Sequence, residues 1–486
     1  MSSKKSLSVF SMVLILIPIF ALAIFFRLYN IGKTALEVDE PINFALAKSF
    51  VVYGYPSTKP PETAPRQPSL FQPLFGYQLS AAWFKLAGNM TIVDARVQNA
   101  AASIVVLFLV FLFALKKGKG TALLAAFFIA LDGWIITINR MDYLENFQLI
   151  LIVLAMWAFW SAVKNGDKQL WRWVLAGLMI GFAFIFKHIG VFLVLVVFAN
   201  WLLTRKDHKG YLVSLFTMGV VGIVYVAAMY LTYGHLYIEA QMVEFDRLFG
   251  FTAARGLNFG LSTIISTIVE RYWIYITTVV ALVIGWPLAA FRYIQALIKR
   301  STAPYDTVVI SWTVGAAAFA VASQLKAPHY MILWLVPLFL FLAGEVASWL
   351  KGRRLMNTWI LVILFLAASI FTWNIRFMVD YGDSLRDSAA YINANIPANA
   401  QVSTESYLGE MINQPFSNIE TSYPVGHMES DDYLAIYTSS TASIDQLPTV
   451  VQKWQQYCLP LATFKGFKDQ VMVCKIDHTA LETIKP

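Results

Sequence analysis

Apolar runs of about 20 residues, separated by short charged clusters, recur from Leu7 to roughly residue 376. A helix of that length crosses the hydrocarbon core of a bilayer, so the pattern predicts a polytopic α-helical membrane protein with about eleven spans. The first run, Leu7–Phe26, follows Lys4 and Lys5; it continues apolar past Ala21-Leu22-Ala23, which predicts an uncleaved span rather than a signal peptide. Further runs lie at Val93–Leu115 and Thr121–Ile138, then up to Lys164, and as a pair around Lys187-His188. Others follow at Tyr211–Thr232, up to Arg292, on both sides of Lys326 and His329, and at Asn357–Phe377. Two long polar connections interrupt the series, 27–92 and 233–271. In the first, Pro56–Pro73 predicts extended backbone and Leu74–Leu86 an interfacial helix. The second sets Met242, Val243, Phe245, Leu248, Phe249 and Phe251 against Glu239, Glu244, Asp246 and Arg247, which predicts another interfacial helix. From Asp380 onward the pattern changes to short strand-like runs and turns. The chain is therefore expected to divide into a membrane domain, 1–379, and a small α/β domain, 380–486.

Charge adds orientation. Only 14% of residues are charged against 58% hydrophobic, where a soluble chain carries about 25% charged residues. The net charge of +8 is not a nucleic-acid face: Lys116-Lys117-Gly118-Lys119, Lys164 to Arg172, Arg205 to Lys209, Arg292 to Arg300 and Lys351 to Arg354 alternate with the spans. By the positive-inside rule these clusters and the N-terminus are cytoplasmic in a cell membrane, and the 380–486 domain is extracytoplasmic. On that side Cys458 and Cys474 are free to pair.

The same topology collects the isolated ionisable residues on the extracytoplasmic side. Asp39-Glu40 opens a helical pattern, either as acids placed by the helix dipole or as a catalytic pair, with a divalent metal as a further option there. Asp142 and Glu145 are spaced i, i+3 and share a helix face, with Arg140 beside them as an ion-pair partner or an anion ligand. Lys187, at the junction of two spans, either snorkels or serves chemistry; Lys326 and His329 with Tyr330 precede another span. Arg140, Lys187, Lys326 and His329 together would suit a phosphate. The sequence has no P-loop, GxGxxG, HExxH or CxxC pattern to indicate ATP, dinucleotide or metalloprotease chemistry.

A lysine-led first span followed by Asp39-Glu40 resembles the GT-C glycosyltransferases, the group of the protein O-mannosyltransferases and the lipid A aminoarabinose transferases. The resemblance continues through Arg96, Arg140-x-Asp142, Gly177 to Lys187, and Lys326-x-x-His329-Tyr330 up to Pro337. It departs at the first-loop proline block, which reads Phe71-Gln72-Pro73-Leu74, with Lys59-Pro60-Pro61 upstream. The family implies transfer of a sugar, with inversion, from a polyprenyl-phosphate donor to a hydroxyl of a protein, lipid or glycan. It implies Asp39 as base supported by Glu40, with Asp142 positioning the acceptor or the base. Arg140, Lys187, Lys326, His329 and Tyr330 would lie at the donor phosphate, and Glu145 and Arg96 would support the site. A membrane glycan polymerase or ligase is the alternative expectation, and a lipid-linked sugar transporter a weaker one, since that would call for mid-span charges and an internal repeat.

Overall fold

The computed structural model describes residues 8–37, 39–57, 68–249, 274–299, 303–323, 328–351, 355–379, 382–418, 431–439, 458–466 and 469–478. The chain folds as two compact units, one of residues 1–31, 70–76 and 96–378 and one of 32–69, 77–95 and 379–486.

The first unit is a helix bundle. It contains α1 (Val9–Leu28), most of α4 (Ile92–Ala114), α5 (Lys119–Leu131), α6 (Gly133–Asn139), α7 (Glu145–Asn165), α8 (Leu170–Phe186), α9 (Phe192–Thr204), α10 (His208–Tyr233) and α11 (His235–Phe249). It continues with α12 (Ile276–Val280), a π turn at Ala281–Gly285, α13 (Trp286–Lys299), α14 (Pro304–Ala322), α15 (Met331–Leu350) and α16 (Leu355–Phe377). Among the described residues eight helical segments are long and apolar enough to cross a membrane, nine if the bent α5–α6 pair is one span. The distance from the expected eleven has two sources. The segment Glu145–Phe186 breaks at Gly166, where φ is +66°, and α7 and α8 pack against each other, so it holds two of the expected runs. Helix α9, at 13 residues, is shorter than a full span.

Small residues set the closest helix approach. Gly177 and Gly181 on α8 face α10, and a Cβ on Gly177 would lie 2.4 Å from the Ser214 carbonyl oxygen. This small-xxx-small spacing lets backbones approach in a membrane, where apolar burial alone gives little preference for helix over lipid.

Asp132 splits the third expected run. Its carboxylate accepts from the Ile135 N–H at 3.0 Å and caps α6, which leaves α5 at 63°. Thr277 and Thr278 donate their hydroxyls to the same carboxylate, each within 2.8 Å of Oδ2. The break also exposes the last carbonyls of α5. Arg27, wholly buried in the last turn of α1, donates to Ile129 O at 3.1 Å and Ala130 O at 2.9 Å. Backbone groups freed at membrane depth are thus met from within the protein, as a bilayer requires.

The second unit joins segments far apart in sequence. Helices α2 (Asp39–Tyr53), most of α3 (Phe75–Ala87), α17 (Ser384–Asn395) and α18 (Ser406–Gly409) accompany a five-stranded sheet of β1 (Val402–Thr404), β2 (Phe416–Asn418), β3 (Tyr433–Ser439), β4 (Cys458–Lys465) and β5 (Asp469–Ile476). The strand order is β2-β1-β3-β5-β4, parallel across β2-β1-β3 and antiparallel across β3-β5-β4. Leu36 belongs to its core with Leu385, Ile392, Val402, Leu408 and Val473, and the Leu36 N–H donates to Asp383 at 3.1 Å. Residues of the first polar connection therefore fold with the C-terminal segment. Cys458 and Cys474 form a disulfide with a Cα–Cα distance of 5.5 Å.

Candidate functional site

In the bundle, three helix breaks bring ionisable groups together. The first lies between α6 and α7, which the residues 140–144 connect. The second lies at Lys187, whose extended backbone separates α8 from a 3-10 turn leading into α9. The third is the 3-10 turn Pro328–Tyr330 that precedes α15.

Glu145 is the centre of the group. It opens α7, is fully buried, and accepts from Lys187 Nζ at 2.6 Å, while His329 Nε2 lies 3.4 Å from the same oxygen. Its second oxygen, Oε2, is buried with no hydrogen-bond partner among the described residues. Both side chains are held from further sides. The Lys187 ammonium lies 5.2 Å from the Tyr330 ring centroid, and the His329 ring stacks on Tyr143 at 4.6 Å. Gln148, one turn along α7, donates to the Lys187 carbonyl at 2.7 Å and fixes the break itself. The arrangement sets a lysine and a histidine around one carboxylate, two side chains able to donate to an oxyanion.

Asp142 is buried and accepts from Asn99 Nδ2 at 2.8 Å. From there a chain of amides runs inward: Asn146 donates to Asn99 at 3.2 Å, Asn139 to Asn146 at 2.6 Å, and Arg27 to Asn139 at 3.0 Å. Arg140 donates to the Phe26 carbonyl at 2.8 Å and lies 4.4 Å over the Phe377 ring. Burial first, then the like charges of Arg96, Arg376 and Arg27, weaken the hold of the Arg140 guanidinium on its proton. A bound anion would relieve that repulsion. Arg96 is fully buried and donates to the Ile31 carbonyl at 3.0 Å.

Asp39 and Glu40 stand in the first turn of α2, in the second unit. Glu40 is buried and its Oε2 accepts from the Glu37 N–H at 3.0 Å, the reach-back half of a capping box, whereas Asp39 is partly exposed. Among the described residues no group of three or more His, Cys, Asp or Glu side chains forms a metal site. Lys326 lies outside the described residues. In the second polar connection the structure forms α11, but Glu244, expected on its polar face, is buried and accepts from Gln72 at 2.6 Å.

Sequence reasoning passed over Arg27, Asn99, Asp132, Asn139, Tyr143, Asn146, Gln148 and Arg376. A signal existed for most of them. They are polar residues within or at the ends of apolar runs, where desolvation makes an idle polar group costly. Tyr143 gave none, since an aromatic ring beside a span reads as an interface anchor.

Residues 17–249 match the family model of dolichyl-phosphate-mannose-protein mannosyltransferases. No curated protein sequence matches the chain. Among solved structures, ArnT from Cupriavidus metallidurans bound to undecaprenyl phosphate superposes with a TM-score of 0.59 at 12% identity, over 95% of this chain and 97% of that one. The chain has the fold of the GT-C membrane glycosyltransferases, and its first half matches one of their family models. AglB, the archaeal oligosaccharyltransferase from Archaeoglobus fulgidus, in complex with an inhibitory peptide and a dolichol-phosphate, shares this GT-C fold. Its TM-score is also 0.59, at 11% identity, over 93% of this chain and 73% of that one. At these identities the two structures speak to the fold alone.

Proposed function

We propose that this protein moves a sugar from a polyprenyl-phosphate donor to a hydroxyl of a protein, lipid or cell-envelope glycan, at the extracytoplasmic face and with inversion. The acceptor oxygen attacks the anomeric carbon while its proton passes to Asp39. The bond from that carbon to the phosphate oxygen breaks, and polyprenyl phosphate leaves. Loss of such a leaving group is fast only when its developing charge is balanced, and the attacking hydroxyl needs a positioned base. The observation that carries this reading is the buried Glu145–Lys187–His329 corner. Lys187 and His329 supply the positive charge with Arg140 and Lys326. Glu145 acts as a positioning residue, holding both cations before the donor arrives. The undecaprenyl phosphate bound to ArnT and the dolichol-phosphate in complex with AglB support a donor of that class. Asp142, fixed by Asn99, orients the acceptor.

The test is single-turnover transfer from a panel of radiolabelled polyprenyl-phosphate sugars, with wild type and Asp39→Asn in membranes. Loss of a general base costs about 10²–10⁴-fold in rate, so the variant should bind donor and transfer at that reduced level. Equal rates would remove Asp39 from the chemistry. Transfer of no donor at all would shift the reading to a polymerase or ligase.

A further inference from the structure

The other end of the bundle holds a separate group of charged side chains. A cavity of about 220 Å³ opens between the C-terminal part of α13, the N-terminus of α14 and the last turns of α15, with Lys117 at its edge. Glu345, in its wall, lies fourteen residues along α15 from Met331, or about 21 Å at 1.5 Å per residue, and so well away from His329. None of the residues invoked for sugar transfer lines it.

We propose that this cavity binds the phosphodiester headgroup of an anionic phospholipid in the leaflet at the basic end of the bundle. Its two acids are already committed: Asp306 takes the Lys117 ammonium within 2.7 Å and Glu345 takes Arg292 at 2.7 Å. What is left over can donate. Lys299 has no ion-pair partner among the described residues, and Gln295 uses its carbonyl oxygen toward Arg292 and keeps its amide hydrogens. The Tyr305 hydroxyl is buried with no hydrogen-bond partner among the described residues, in a side chain only 5% exposed. A cation and an amide N–H lining one space, with a buried hydroxyl in its wall, call for an acceptor-rich anion.

Helix α13 supplies the reason that the anion is a lipid. Arg292, Gln295 and Lys299 recur at i, i+3, i+7 and line the cavity, while Phe291, Ile294 and Ile298 follow the same spacing one residue earlier and are 58%, 56% and 75% exposed. One helix thus offers an anion-binding stripe beside a stripe for acyl chains. The volume falls below the 300–1,000 Å³ typical of whole small-molecule sites and suits a headgroup.

The experiment is native mass spectrometry of the full chain released from nanodiscs of phosphatidylcholine doped with phosphatidylglycerol, for wild type, Lys299→Ala, Lys299→Arg and Tyr305→Phe. Wild type should retain phosphatidylglycerol over phosphatidylcholine. One juxtamembrane lysine contributes about fivefold in affinity, so Lys299→Ala should lose that much retention and Lys299→Arg should keep it. Tyr305→Phe, which removes a single oxygen, should also lose retention. Unfolding temperatures in pure phosphatidylcholine should match wild type for all three, which separates binding from folding. Equal retention of the two lipids, or unchanged retention in both Lys299→Ala and Tyr305→Phe, would overturn the proposal. Displacement of the lipid by millimolar inorganic phosphate would make this a free-phosphate site and overturn the lipid assignment.

Discussion

Removing the Glu145 charge is the sharpest test of the buried corner. Glu145→Gln leaves the Lys187 ammonium, itself only 6% exposed, without its counter-charge at 2.6 Å. At an effective dielectric of 20, two unit charges at that distance attract by about 6 kcal/mol, an upper scale before desolvation is counted. Breaking one side of a buried pair costs about 3–5 kcal/mol, because the survivor stays buried and unpaired. Lys187→Met should destabilise as well, since it leaves the carboxylate only His329, at 3.4 Å. The double variant Glu145→Gln/Lys187→Met strands neither charge, so it should be more stable than the sum of the singles by about 2 kcal/mol or more. Apparent stability would be read from thermal inactivation of detergent-purified protein. Activity separates structure from chemistry: the double variant should fold and yet transfer poorly, because the cation meant for the leaving phosphate is gone. Strictly additive stabilities would refute the coupling. Full activity in the stable double variant would remove Lys187 from the donor site.

Three further outcomes follow from the geometry. Asp132→Ala removes the cap of α6 and strands two buried hydroxyls; at about 1 kcal/mol for the cap and 1–3 for an orphaned polar group, it should lower thermal stability well beyond Asp132→Asn, which keeps an acceptor oxygen, and equal losses would argue against the cap. Gly177→Ala places a methyl 2.4 Å from the Ser214 carbonyl oxygen and should cost about 1–3 kcal/mol, measured as a fall in melting temperature. Gly219→Ala, which meets nothing within 4 Å, should leave it unchanged, and an equal fall in both would contradict the close packing of α8 on α10. Cys458→Ser/Cys474→Ser opens a link of sequence separation 16, worth about 3 kcal/mol in loop entropy; reductant should lower the unfolding midpoint of the C-terminal unit in wild type and leave the double variant unaffected.

Much of this was legible in the chain itself. Periodicity and hydropathy alone located the apolar runs, the change of character near Asp380 and the two polar connections, because a bilayer forces backbone polar groups into long helices whatever the neighbours are. The same constraint made Asp142, Glu145, Lys187 and His329 conspicuous, since an ionisable group at membrane depth is too costly to keep without a partner or a use. The sequence was silent on pairing. That Glu145 takes Lys187 from the end of α8 and His329 from the turn before α15 depends on contacts across 42 and 184 residues, and on Gln148 clamping the Lys187 carbonyl. Asp132 is one polar residue in an apolar run and was passed over; only the fold makes it the cap of a split span, with Arg27 from another helix meeting the carbonyls that the break exposed. Leu36 packing with Leu385 and Val473 in one core was likewise beyond any local pattern. Local sequence determines which segments must be helices and which groups need partners; which partner each receives is decided by packing, because burial energy depends on neighbours that only the folded chain supplies.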